Sequence, residues 1–210
     1  MTGKGSLNHN SRKFHAKNTD PNRTHWNVEY CNENIKDVYH ELFDEALKRY
    51  NDKQTRKDRK IDDYYEKIRS GKQEKLFHEV ILQIGDKDNM GSETMEGQLA
   101  AKILDEYMKG FQERNPTLRV FAAHLHLDEA TPHLHIDFIP YVTGSKRGLD
   151  TRVSLKQALS SLGFKGGSRS ETELNQWVQS EKQKLAMVMR ENEIEWDQKG
   201  THEQHLSVLD

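Results

Sequence analysis

The segment His124-Leu-His-Leu-Asp-Glu-Ala-Thr-Pro-His-Leu-His-Ile-Asp137 holds four of the chain's eleven histidines, at a spacing that suits metal binding. Side chains alternate faces along a β-strand, so His133 and His135 point one way while Leu134, Ile136 and Phe138 point the other. His126 shares its face with His124 and Ala122. A hairpin closing through residues 128–132 sets His126 opposite the His133/His135 pair. Three imidazole nitrogens then converge, with positions left open for water or substrate oxygens. A lone strand histidine is ordinarily packed or solvated, and a His-x-His pair arises readily by chance. Three on one face, around an acidic turn with a proline, point to an ion. Zinc, manganese, iron, nickel and copper all accept three imidazoles, so residue type does not choose among them. His124 lies further from the turn and stays outside the ligand set.

Three carboxylates attend this hairpin. Glu129, at the turn, could hydrogen-bond a ligand imidazole and fix its tautomer, or accept a proton. Asp128 could do the same or cap the turn. Asp137 continues the face of His133 and His135 and would support a ligand ring rather than the ion.

Residues 118–127 and 133–142 read as the two strands of that hairpin, joined by a short link. A β-branched run at 76–84 supplies another strand, and a short alternating stretch at 25–30 a further one. Ile35, Val38, Tyr39, Leu42, Phe43, Ala46 and Leu47 follow the spacing of an amphipathic helix. A second helix is marked by Ile61, Tyr64, Tyr65 and Ile68 and ends at Gly71. Gly91 and Ser92 are expected to open a long helix through Leu99, Ile103, Leu104, Tyr107 and Phe111, which Asn115-Pro116 stops. Further helices are expected at 153–162 and 171–193, the latter carrying Trp177 in its apolar stripe. The fold class is therefore α+β: an antiparallel β-sheet with helices packed on one side.

At 210 residues the chain suits one large domain, here residues 1–196, followed by a polar tail at 197–210. The hydrophobic share of 33% and charged share of 31% indicate helices with wide solvated faces. No apolar run approaches the roughly 20 residues a membrane helix needs, and no signal-peptide pattern opens the chain. The single cysteine, Cys31, excludes an internal disulfide and fits a reducing cytoplasm. A net charge of -2 argues mildly against non-specific nucleic-acid binding, although affinity depends on where positive charge gathers.

The run His126-Leu-Asp-Glu-Ala-Thr-Pro-His-Leu-His135 resembles the metal motif of MobV-type relaxases, the Mob/Pre plasmid recombination enzymes. The likeness extends to Asn8-His-Asn-Ser-Arg12, similar to that family's first motif, and to Asn22-Arg-Thr-His-Trp-Asn-Val-Glu-Tyr30. It runs in order from about residue 8 to about 142. The metal motif is the specific part. The resemblance implies an HUH (His-hydrophobe-His) relaxase fold and an enzyme that nicks one strand of plasmid DNA at an origin of transfer, remaining joined to the 5′ phosphate. It implies His9 as nucleophile, Arg12 on the scissile phosphate, Glu129 as acidic partner, and His126, His133 and His135 as metal ligands. A phosphate substrate favours Mn²⁺, with Mg²⁺, Zn²⁺ and Ni²⁺ as alternatives. The chemistry is coherent, because free imidazole, with a pKa of about 6.5, keeps a lone pair near pH 7. Arginine offers phosphate a planar fork. Spacing alone gives His9 no role.

Two departures stand out. Relatives carry a strand before the first motif, where this chain has only residues 1–7, so that strand is missing, shortened or replaced. Some relatives have a tyrosine where Val28 stands. Members are commonly longer, with a C-terminal helical region for self-association, so a homodimer would form through a region outside this sequence. Arg56, Lys57, Arg59 and Lys60 are the best candidate DNA contacts, followed by Lys146, Arg147 and Arg152. Two other readings stay open. One is an HUH replication initiator or transposase using Tyr64 or Tyr65, although their helical spacing with Ile61 and Ile68 favours packing. The other is a non-catalytic DNA-binding protein whose metal-stabilised histidines only staple the hairpin.

Overall fold

The computed structural model describes residues 2–3 and 6–197. In chain order its elements are β1 (Thr2–Gly3), α1 (Leu7–Asn10), β2 (Val28–Asn32), α2 (Ile35–Asp52), α3 (Tyr64–Ser70), β3 (His78–Gln83), α4 (Met95–Lys109), α5 (Phe111–Arg114), β4 (Leu118–His126), β5 (His133–Val142), β6 (Arg152–Val153), α6 (Leu155–Ser161) and α7 (Glu173–Glu191). Except for Asp197, the polar tail expected at 197–210 lies outside the described residues. Among those described, no helix is long and apolar enough to cross a membrane.

The strands form one antiparallel sheet in the order β1-β3-β5-β4-β2, with β6 paired to the far end of β5. The β4–β5 hairpin sets His126 opposite His133 and His124 opposite His135. On β3, Glu79 lies opposite Asp137 and Ile81 opposite His135. The strand before the first motif is present but shortened: Thr2 and Gly3 pair with Val80 and Glu79. The strand expected at 25–30 lies later, because Thr24–Trp26 forms a short 3-10 turn and β2 begins at Val28.

Strand alternation divides the sheet into two unlike faces. Leu82, Leu125, Leu134, Ile136 and Phe138 face α4–α7, meeting Ile103, Leu104, Phe111, Leu159 and Trp177 in the main core. This is the helical layer that the sequence pattern predicts. A bulge between Val120 and Ala122 in β4 breaks the alternation. Phe121 and Ala122 therefore join Ile139 in a second core under Val38, Tyr39 and Phe43 of α2 and Tyr64 of α3. Helices thus cover one end of the second face, and the histidines occupy the other end.

Local chemistry sets the boundaries. Thr94 caps α4, its hydroxyl accepting from the Gly97 amide at 3.0 Å. Gly91 and Ser92 therefore open no helix. Ser92 is instead bonded to the hairpin turn, its amide donating to the Ala130 carbonyl at 3.0 Å and its hydroxyl to the Glu129 carbonyl at 2.7 Å. The close turn leaves no room for a side chain at Gly97, whose added Cβ would lie 1.9 Å from the Gly91 carbonyl oxygen.

Candidate metal centre

His126, His133 and His135 are all buried, and each offers one ring nitrogen within 4.8 Å of the others. Their ring centroids lie 4.8 to 5.2 Å apart. The outward nitrogen of each ring has a partner of its own. His126 Nε2 donates to the Asn10 carbonyl at 2.9 Å, His133 Nδ1 to the Thr131 carbonyl at 2.8 Å, and His135 Nδ1 to Glu79 Oε1 at 2.8 Å. These acceptors fix the tautomers and turn the lone pairs of His126 Nδ1, His133 Nε2 and His135 Nε2 inward. The first two lie 3.3 Å apart, and His135 Nε2 is buried without a protein partner. Converging, desolvated nitrogen lone pairs with their opposite edges tied down are what an imidazole-bound cation requires, so the donor set fits. Burial, reinforced by the neighbouring rings, pushes His126 down to about 2 and lowers His135 well below the ordinary range. Burial lowers His133 too.

The segment after β1 brings His9 to this cluster. Its ring centroid lies 5.9 Å from that of His126 and 6.4 Å from that of His135. His9 Nε2 lies 3.3 Å from Glu129 Oε1, and His9 Nδ1 is buried without a partner. His9, His126 and Glu129 form a second trio within metal-binding distance of one another. Burial alone would raise Glu129, but hydrogen bonding with His9 and the charges of His133 and Arg12 bring it to about 2. Asn18 Nδ2 donates to its other oxygen at 2.6 Å.

Arg12 ends α1 in the left-handed region, with φ at +52°. Its amide donates to the His9 carbonyl and that of Lys13 to the Asn8 carbonyl, the closing pair that usually employs glycine. A non-glycine residue there costs roughly 1–2 kcal/mol, and its guanidinium explains its presence. Nε donates to Asp128 Oδ2 at 2.9 Å, NH2 to Asp128 Oδ1 and to Glu129 Oε1, and NH1 to the His9 carbonyl at 3.0 Å. The resemblance implied a fork presented to phosphate; in the structure that fork meets the protein's own carboxylates and both the carbonyl and ring Nε2 of His9. Asp128 is fully buried and, against the pull of burial, Arg12 holds it down to about 2. The Thr24 hydroxyl donates to Asp128 Oδ2 at 3.1 Å.

Asn10, Glu79 and Ser92 support the centre and were not singled out from the sequence. Asn10 Nδ2 donates to Glu79 Oε1 at 2.8 Å and to Asp137 Oδ2 at 3.0 Å, fastening α1 to the sheet beneath the histidines. Burial and the neighbouring Glu79 raise Asp137 to about 8. One signal was available: Glu79 is an acid directly before the apolar run Val80–Leu82 of β3, and a buried acid needs a partner. Asn10 and Ser92 gave none.

The remaining candidates lie elsewhere. Tyr64 is buried among α2 and α3 side chains, its hydroxyl accepting from the Val153 amide, and Tyr65 packs edge-on against Tyr39. Neither is among the residues contacting the histidines. Arg147 and Arg152 share one surface cavity of about 440 Å³ with Ile61, Tyr64 and Lys67, and Lys146 lines an adjoining one. Arg152 pairs with Val142 at the far end of β5. That is nine residues from His133, about 30 Å of extended strand. Lys57–Arg59 forms an exposed 3-10 turn in which Arg56 pairs with Asp58.

The family model described as plasmid recombination enzyme (Mob_Pre) matches residues 5–197. No curated protein matches the chain. Among solved structures, the MobM relaxase domain (MOBV; Mob_Pre) bound to 22-nucleotide oriT DNA of plasmid pMV158, Mn-bound at pH 5.5, is similar with a TM-score of 0.52 and 23% identity, covering 96% of this chain and 87% of that one. The corresponding Mn-bound structure at pH 4.6 gives 0.52 and 22% over the same shares. A third, with a 3′ thiophosphate on the DNA at pH 6.8, gives 0.51 and 22%, again over 96% and 87%. At these identities the likeness is one of fold.

Proposed function

The chain belongs to the Mob/Pre family of plasmid recombination enzymes, and on that premise we propose that it is a relaxase that nicks one strand of plasmid DNA at an origin of transfer, with His9 as nucleophile. The observation that carries this reading is the placement of His9 against both Glu129 and the three-histidine cluster. His126, His133 and His135 would hold one divalent cation, most naturally Mn²⁺ as in the similar oriT complexes, with Mg²⁺, Zn²⁺ or Ni²⁺ as alternatives. When bound, such an ion neutralises charge on the non-bridging oxygens of a phosphodiester.

The protein's own groups do the rest. A ring nitrogen of His9 attacks the scissile phosphorus, a P–N bond forms, and the P–O3′ bond breaks to release the 3′ end. Glu129 accepts a hydrogen bond from the other edge of the ring and offsets the positive charge that develops on it. Arg12 keeps Glu129 and the His9 backbone in register. The P–N adduct remains reactive, so a later hydroxyl can reseal the strand. Lys146, Arg147 and Arg152 would track the strand away from the centre, together with Arg56, Lys57, Arg59 and Lys60. The test is incubation of the protein and Mn²⁺ with supercoiled plasmid carrying the cognate origin. Relaxed circles with protein on the 5′ end are expected, and His9→Ala must abolish the adduct while origin binding persists. An adduct that survives His9→Ala would refute the assignment.

A further inference from the structure

We propose that Phe14 and Trp26 form a stacking platform for unpaired bases of a DNA strand entering the histidine centre. This rests on the nicking reading above for its location. Six large apolar side chains are exposed among the described residues, and three of them, Phe14, Trp26 and Val28, fall in the short segment that wraps the site. Phe14 is 43% exposed, and its ring centroid lies 6.0 Å from that of His9. Trp26 is 42% exposed.

The sheet register places Trp26. Val28 pairs with Leu125 and Glu29 with His124, so the chain before Val28 runs level with His126 and the hairpin turn. The mount is firm. Asn27 Oδ1 accepts from the Leu127 and Asp128 amides at 2.7 and 3.1 Å, and Thr24 bonds the Asp128 carboxylate that holds Arg12. A tryptophan fixed at the rim of a polar centre and left 42% exposed forgoes part of the burial that normally stabilises it.

The charge around it names the occupant. Within residues 12–27 the exposed cations are Lys13 and Lys17, in a chain whose net charge is -2, while Arg12 turns inward to Asp128 and Glu129. Asp20 is paired with Arg23 at 3.1 Å, and the Arg23 guanidinium carbon lies 6.0 Å from the Trp26 ring centroid. Aromatic rings interleaved with cations form a surface that takes phosphates on the cations and bases on the rings. A strand that enters the buried centre unpaired leaves its bases beside the phosphate in need of a surface to stack on. Stacking tolerates every base, so the platform grips without reading sequence.

The test uses (dT)12 in low salt without metal, followed by anisotropy of a labelled copy. Trp26→Ala and Phe14→Ala are each expected to weaken binding about 5- to 100-fold, and Trp26→Phe to retain most of it. Met95→Ala, removing an 83% exposed apolar side chain elsewhere, should change nothing. In a Trp196→Phe background the remaining tryptophans are Trp26 and the fully buried Trp177. There (dT)12 should quench the exposed one, a signal that needs no substitution near the site. Both readouts are taken without metal and neither needs strand cleavage, which separates this proposal from the nicking reading. Wild-type affinity in the folded Trp26→Ala and Phe14→Ala proteins, or no quenching at saturating (dT)12, overturns it even if plasmid nicking is normal. Quenching and the two affinity losses uphold it even if no adduct forms.

Discussion

Replacing Arg12 by alanine separates a residue that holds phosphate from one that holds the protein together. The Arg12 side chain is 8% exposed and that of Asp128 is fully buried, so the pair is shielded from solvent and salt. Removing one partner of a buried ion pair costs about 3–5 kcal/mol, because the other charge is left without compensation. Here the Thr24 hydroxyl still donates to Asp128, which places the expected loss near the lower end, about 3 kcal/mol. For a chain of this size each kcal/mol moves the midpoint by about 2–4 °C, giving a fall of roughly 6–12 °C. The assay is thermal melting of the protein without DNA or metal. Arg12→Lys, which keeps the charge but loses the fork, should fall in between. Asp128→Asn in the Arg12→Ala background should recover at least half of the loss, since no buried charge then stands alone. An Arg12→Ala protein that melts within about 2 °C of the parent yet fails to nick would refute the reasoning and leave the guanidinium to the substrate alone.

Other outcomes follow from the same geometry. His135→Ala should abolish Mn²⁺ binding in calorimetric titration while circular dichroism remains that of the parent, since the inward Nε2 has no protein partner and Glu79, losing the Nδ1 bond, keeps the Asn10 amide. The unfolded chain takes up protons at histidine as pH falls through about 6.5, whereas His126, held near 2, and the lowered His133 and His135 refuse them. The metal-free protein should therefore lose stability as pH drops below that point. Asp137 runs the other way: its folded carboxyl keeps a proton up to about 8, while the unfolded one ionises above about 4. Its contribution is present at low pH and lost between those values, so Asp137→Asn should raise the melting midpoint at pH 8 and not at pH 4. Tyr64→Phe and Tyr65→Phe should both retain the covalent adduct, and an adduct lost on either change would revive a tyrosine nucleophile. Arg147→Ala and Arg152→Ala should each weaken DNA binding and reduce its salt slope by about one, leaving metal binding unaltered.

The hairpin was legible because strand alternation and a short turn are both written in local sequence. His126, His133 and His135 needed nothing beyond period-two spacing to be brought together. His9 was different. It sits in α1, a four-residue helix with no periodicity to detect, and only the resemblance singled it out. The left-handed backbone at Arg12 and its bond to Asp128 join residues 116 positions apart, a pairing no local pattern encodes. The same holds for Asn10 bridging Glu79 and Asp137. The bulge at Val120–Ala122, which turns Phe121 and Ala122 toward α2, was also invisible, because an extra residue in one strand is defined by its partner. Helix ends shifted where a side-chain cap intervened, as Thr94 does ahead of α4.

The two-faced hairpin has a consequence for how this chain can vary in length. Gaining or losing one residue between His133 and Phe138 would exchange the two sets of side chains. Imidazoles would be driven toward Leu104 and Phe111, and Leu134 and Ile136 would stand where the three rings now converge. The turn offers no slack either, since Asp128 and Glu129 grip Arg12 from it. Insertions and deletions should therefore be lethal to this hairpin yet harmless in the exposed loop at residues 166–170, so a deletion scan would trace the centre without any assay of its chemistry.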